Sequence, residues 1–116
     1  MRLYTRTHKH YCGIDLHAKK MFVCIMDAEG TVVLHRNIAS SPEAFLKAVA
    51  PFRDDLVVGV ECMFAWYWLA DLCSKEGIEF VLGHALYMKA VHGGKVKNDK
   101  IDSQKIAGLL RGGRPV

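Results

Sequence analysis

The stretch Lys97-Asn98-Asp99-Lys100-Ile101-Asp102 sets two carboxylates three residues apart at the start of the last apolar-periodic segment of the chain. In a helix, Asp99 and Asp102 would share one face. Lys95, Lys97, Lys100 and Lys105 surround them, so an acidic pair sits in a cationic frame, a combination suited to a metal ion that must meet a phosphate. The same six residues also read as a helix start, with Asn98 or Asp99 as N-cap and acids favouring the helix dipole. The hexapeptide alone leaves both readings open. Two further acids close apolar runs: Asp15 after Tyr11-Cys12-Gly13-Ile14, and Glu61 after Leu56-Val57-Val58-Gly59-Val60. Singly, Asp15 could be a strand-end turn residue and Glu61 an acid at a helix N-terminus. Taken together, four carboxylates, Asp15, Glu61, Asp99 and Asp102, can bind Mg²⁺ or Mn²⁺. Two such ions about 4 Å apart stabilise the attacking and leaving oxygens of phosphodiester transfer.

Positioning these acids takes strands and helices in a definite order. Met1 to His10 is polar and basic without periodicity, a lead-in or arm covering residues 1–10. Tyr11–Leu16 and Met21–Asp27 read as strands, Asp27-Ala28-Glu29-Gly30 as a hairpin turn, and Thr31–Ile38 as a third strand. A helix follows, started either by a Ser40/Glu43 capping box or by Ser41 as N-cap with Pro42 at the first helical position. It runs through Phe45, Leu46, Val49 and Phe52, with Pro51 near its end. Leu56–Glu61 is an unbroken apolar run, the pattern of a strand covered on both faces. From about Phe64 to Glu76 a helix is expected, with Gly77 as its C-cap, and Ile78–Leu82 forms a fifth strand. Trp66, Tyr67 and Trp68 could stack nucleobases, but their place beside Leu69 favours core packing. A short helix over His84–Val91, a basic loop His92-Gly93-Gly94-Lys95 and a final helix from Asp99 to Leu110 complete the series. The result is an α/β fold: a mixed five-stranded sheet whose first three strands form an antiparallel meander and whose fourth and fifth join through helical crossovers. Ribonuclease-H-like folds are built this way.

The chain has 116 residues, an apolar fraction of 51% and a charged fraction of 24%, which suit one folded domain and exclude a disordered chain. Its formal charge is +4. Arg2, Arg6, Lys9, Lys19 and Lys20 cluster early, and six Lys or Arg residues fall between Lys95 and Arg114, an asymmetry that fits a polyanionic partner. Lys95, Lys97, Lys100 and Lys105 are the candidate nucleic-acid contacts, because lysines after a Gly-Gly loop meet phosphates rather than base edges. Cys12, Cys24, Cys62 and Cys73 lie in or beside apolar runs without a C-x-x-C pair, which fits buried thiols in a reducing cytoplasm and lacks the spacing of a zinc site. No run is long enough to cross a membrane.

At these residues the sequence resembles the N-terminal domain of the DEDD transposases of bacterial insertion sequences, relatives of the pilin-gene invertase. Gly13-Ile14-Asp15 resembles the first motif of that family, Val60-Glu61 with the aromatic helix after it the second, and Lys97 to Asp102 the third. The resemblance covers about Tyr11 to Pro115, with Cys62-Met63-Phe64 and Ser103 departing from the small residues often found there. It implies the fold of the RuvC Holliday-junction resolvase over residues 11–116, with Asp15, Glu61, Asp99 and Asp102 as a tetrad for two Mg²⁺ or Mn²⁺ ions. It further implies DNA as substrate, a structured guide RNA as a partner in some relatives, a homo-oligomer in the longer form, and a C-terminal domain with a serine nucleophile that this chain lacks. Two other classes remain open on sequence. An actin-like ATPase half-domain also begins with Gly-x-Asp, but its phosphate-cradling turn is matched here by Leu16-His17-Ala18-Lys19-Lys20, which has no glycine. A non-catalytic nucleic-acid-binding or dimerisation module would keep the fold without the activity.

Overall fold

A computed structural model describes residues 6–61, 66–82 and 99–112, with the backbone alone for 99–102. Alternating side chains and two-sided burial make the strands. β1 (His10–Leu16) is buried from Tyr11 to Leu16, and β4 (Leu56–Glu61) is buried up to its last residue. Strands covered on both faces need continuous apolar runs, and these two have them. β2 (Lys20–Asp27) pairs antiparallel with β1, and β3 (Val32–Ala39) pairs antiparallel with β2. β4 lies parallel to β1 on its other side and β5 (Glu79–Leu82) parallel to β4, so the sheet order is β3-β2-β1-β4-β5. This is the mixed five-stranded sheet of a ribonuclease-H-like domain.

The β2–β3 turn is closed by one carboxylate. Asp27 Oδ1 accepts from the amides of Glu29 and Thr31 at 3.0 and 2.9 Å, while Gly30 supplies the positive φ of 90° that the tight reversal requires. Helix α1 (Pro42–Val49) starts from Ser41, whose Oγ accepts from the Ala44 amide at 3.2 Å with Pro42 at the first turn. Of the two starts that the sequence allows, Ser41 therefore caps the helix. Ser40 instead donates from its hydroxyl to the His17 carbonyl at 2.7 Å, tying the β3–α1 junction to the β1–β2 turn. Pro51 ends α1 early, and Ala50–Phe52 tighten into a 3₁₀ turn.

α2 (Tyr67–Glu76) ends at Gly77, φ 73°, where the Gly77 and Ile78 amides donate to the Ser74 and Cys73 carbonyls. Buried Ile78 then packs in the same cluster as Cys73, which completes the cap. Arg53 binds the end of this helix as well, through the Glu76 carbonyl at 2.7 Å and the Glu76 carboxylate at 3.1 Å. α3 (Asp99–Gly112) runs two residues beyond the expected Leu110. The expected helix over 84–91 and the loop over 92–95 lie outside the described residues.

The sheet separates two packing layers. On one face Cys12, Ile14, Leu16, Val23, Ile25, Val58 and Val60 meet Phe45 and Val49 of α1 and Leu69 and Cys73 of α2. On the other, Tyr11 and Val57 meet Ile106, Leu109 and Leu110 of α3, with Cys24 and Met26 against Ala107. The described part of the basic lead-in lies on the domain: Arg6 pairs with Glu79 at 3.1 Å, Lys9 with Asp54 at 2.8 Å and His8 with Asp55 at 2.7 Å.

Candidate functional site

Two glycines decide how α3 reaches the sheet. Gly13 of β1 and Gly59 of β4 are register partners, so together they open one bare strip across adjacent strands. A Cβ at Gly13 would overlap the Ser103 carbonyl oxygen and the Ala107 nitrogen, and one at Gly59 would come within 2.7 Å of Leu110 Cδ1. The helix backbone thus lies directly on β1. With Ser103 over Gly13 and Arg111 over Gly30 in the β2–β3 turn, α3 runs antiparallel to β1. Its first turn, which contains Asp99 and Asp102, therefore starts at the sheet edge where β1 and β4 end.

Asp15 and Glu61 stand at that edge. They are register partners two residues beyond the paired glycines, and strand alternation puts both on the face that α3 covers. Asp15 is 2% exposed and Glu61 half-buried. His17, two residues after Asp15, brings Nε2 to 3.4 Å from Asp15 Oδ1 while remaining half exposed. Beyond Asp15 the chain turns back into β2, while β4 ends at Glu61. Open α/β sheets bind ligands beyond the carboxyl ends of their strands.

The structure brings Asp15 and Glu61 side by side. It places Asp99 and Asp102 on α3, and their side chains lie outside the described residues. Among the described residues no three His, Cys, Asp or Glu side chains form a group able to hold a metal ion. Lys105 is half-buried on α3, Lys100 is described by its backbone alone, and Lys95 and Lys97 lie outside the described residues. Two neighbours of the site are not among the site residues expected from the sequence. Ser103, fully buried, holds its Oγ 3.5 Å from His35 Nε2 on β3, and His17 approaches Asp15. Period-two alternation from Asp15 was the signal for His17; nothing local joins Ser103 to His35, which are 68 residues apart.

A model of IS110-type DEDD transposases, described as transposase, matches residues 12–115. The chain belongs to this family. Gly13–Asp15, Val60–Glu61 and residues 97–102, the stretches that resemble the family's motifs, fall within the match. The comparison with curated proteins found no match. Among solved structures, a ROK family glucokinase from Streptomyces griseus in complex with glucose and AMPPNP aligns with a TM-score of 0.48 and 18% identity over 71% of this chain. The chain spans 35% of the length of that glucokinase.

Trp66, Tyr67 and Trp68 divide between two roles. Trp66 and Trp68 pack against the core as their apolar setting suggests, but Tyr67 is 65% exposed and stacks on Trp66 with ring centroids 4.2 Å apart. The helix turns its first residue away from the sheet, which a run of three aromatics cannot reveal.

Three thiols are removed from chemistry. Cys12, Cys24 and Cys73 are buried and free, and burial pushes the Cys24 thiol up to about 11 and that of Cys73 to about 12. Cys12 is raised well above the ordinary range by the same cause. Among the described residues no helix is long and apolar enough to cross a membrane.

Proposed function

We propose that this transposase domain carries the metal-dependent chemistry of DNA strand cleavage and transfer for an insertion sequence. The carrying observation is the in-register pair Asp15 and Glu61, on the face covered by α3, at the edge where the first turn of α3 begins. Asp15, Glu61, Asp99 and Asp102 would hold Mg²⁺ or Mn²⁺, two ions in the full site. The donor set fits, because oxygen-only carboxylates suit hard divalent cations and a buried carboxylate such as Asp15 gains from a cation beside it. Bound there, the ions would supply charge stabilisation to the attacking and leaving oxygens of the phosphodiester. The protein's own part is positional. Gly13 and Gly59 set the height of α3 over the strands, and His17 stands beside Asp15 at the edge that the DNA would approach.

Lys95, Lys97, Lys100 and Lys105 would hold the DNA backbone with little sequence preference, in a cytoplasmic setting that keeps the thiols reduced. A guide RNA, a homo-oligomer and a further domain bearing a serine nucleophile belong to the same proposal and rest on family membership. The experiment is a thermal melt with and without millimolar Mn²⁺. The parent chain should gain several degrees with Mn²⁺, and Asp15→Asn and Glu61→Gln should lose most of that gain while melting at or above the parent in chelator. Equal responses to Mn²⁺ in parent and variants would remove Asp15 and Glu61 from the metal site.

A further inference from the structure

We infer that the β1–β2 turn, His17 to Lys20, is a clamp for the phosphate backbone of the DNA beside Asp15, with Lys19 and Lys20 as its cations. This rests on the proposed function for the nature of the substrate, and assigns contacts that neither the acids nor the lysines from Lys95 to Lys105 supply. The turn follows the buried acid directly. His17 Nε2 lies 3.4 Å from Asp15 Oδ1, and the His17 amide donates to the Lys20 carbonyl at 3.0 Å. Lys20 opens β2 two residues before Phe22, the register partner of Asp15, which sets it about 7 Å further along the strand. Alternation through Phe22 to Cys24, which packs on Ala107 of α3, puts Lys20 on the α3 face of the sheet, where Asp15 and Glu61 also stand. Residues 17–20 are all exposed.

The backbone of this turn is held, and its charge is uncompensated. Ser40, which leaves the α1 cap to Ser41, donates its amide to the Lys19 carbonyl at 2.9 Å and its hydroxyl to the His17 carbonyl at 2.7 Å. With the bond from the His17 amide to Lys20, three carbonyls of the turn are fixed, and a fixed backbone lowers the entropy lost when a lysine settles on a phosphate. Arg6, Lys9 and Arg53 are matched by Glu79, Asp54 and Glu76. Among the described residues no carboxylate pairs with Lys19 or Lys20. The described basic residues near the N-terminus therefore divide: those before β1 tie the arm to the domain, and those after it face solvent beside the acids. Carboxylates by themselves would repel a phosphodiester, and cations next to them offset that repulsion. Ammonium groups on an exposed turn meet phosphate oxygens, which every sequence presents.

Fluorescence anisotropy of a short labelled DNA duplex titrated with the 116-residue chain, in Ca²⁺ and over a range of salt, tests this. The double variant Lys19→Ala with Lys20→Ala should bind about tenfold more weakly at low salt and lower the salt slope by about 1 to 2. Lys19→Arg with Lys20→Arg should keep both. As a control, Lys47→Ala with Lys75→Ala removes the same charge from exposed positions on α1 and α2, across the sheet from α3, and should bind as the parent does. Because all four lysines are exposed, melting temperatures should stay at the parent value, which separates weaker binding from a lost fold. A parent-like slope in the Lys19 and Lys20 variant, or an equal loss in the control, would overturn the clamp. The gain of the parent in Mn²⁺ is read separately, so the proposed function can stand when the clamp fails. Tighter binding of an RNA duplex with the same dependence on Lys19 and Lys20 would overturn the assignment to DNA.

Discussion

Gly13 shows how one absent side chain sets up a site elsewhere. The atoms that a Cβ would strike there belong to the α3 backbone, at Ser103 and Ala107, and cannot rotate away. At Gly59 the obstacle is the flexible end of Leu110. Gly13→Ala should therefore cost about 3 kcal/mol and Gly59→Ala about 1 kcal/mol, since overpacking against fixed backbone sits at the upper end of the usual range. Urea unfolding of the two variants checks the order, and a Gly59→Ala variant less stable than Gly13→Ala would contradict a backbone seat for α3. Lifting α3 should also weaken the Mn²⁺ response, because Asp99 and Asp102 ride on that helix. In sequence, Gly13 reads only as part of a Gly-x-Asp motif. Its reason is the helix lying on it.

At the scale of elements, caps and turns join parts that packing alone would leave loose. Ser41 caps α1, and Arg53, just after the 3₁₀ turn, reaches across to the end of α2. Ser41→Ala should remove one capping bond and cost about 1 kcal/mol, while Ser40→Ala leaves the α1 cap intact. For a domain of this size that corresponds to a fall of about 4 to 8 °C in Tm. Circular dichroism melts of the two variants distinguish them, and equal losses would return Ser40 to the cap. The sequence allowed both serines, because a capping box and a Ser-Pro start overlap by one residue. The chain's path from β3 made the choice, since the Ser40 amide and hydroxyl are already engaged by the carbonyls of Lys19 and His17.

For the whole molecule, the N-terminal residues lock the start of β4 to the sheet through charge. Asp55 takes a positive φ of 64°, and its carboxyl is held below the usual range by the hydrogen bond from His8, with Lys9 adding to it. A carboxyl lowered in the folded state stabilises above its unfolded pKa and loses that contribution as pH falls through the folded value. Asp55→Asn, which suits the left-handed backbone, should melt slightly below the parent at pH 7, and the difference should vanish in strong acid. A gap that persists at pH 2 would assign the effect to something other than this carboxylate. By itself the sequence determined the succession of strands and helices along the chain, the Gly77 cap of α2 and the two acids at strand ends, because alternation, apolar runs and turn residues act over a few neighbours. The tertiary structure alone decided that Gly59 would lie beside Gly13, that α3 would sit on both strands, that Ser103 would meet His35, and that Tyr67 would face solvent. These follow from register and helix rotation, which depend on contacts between residues far apart in the chain and leave no local pattern to read.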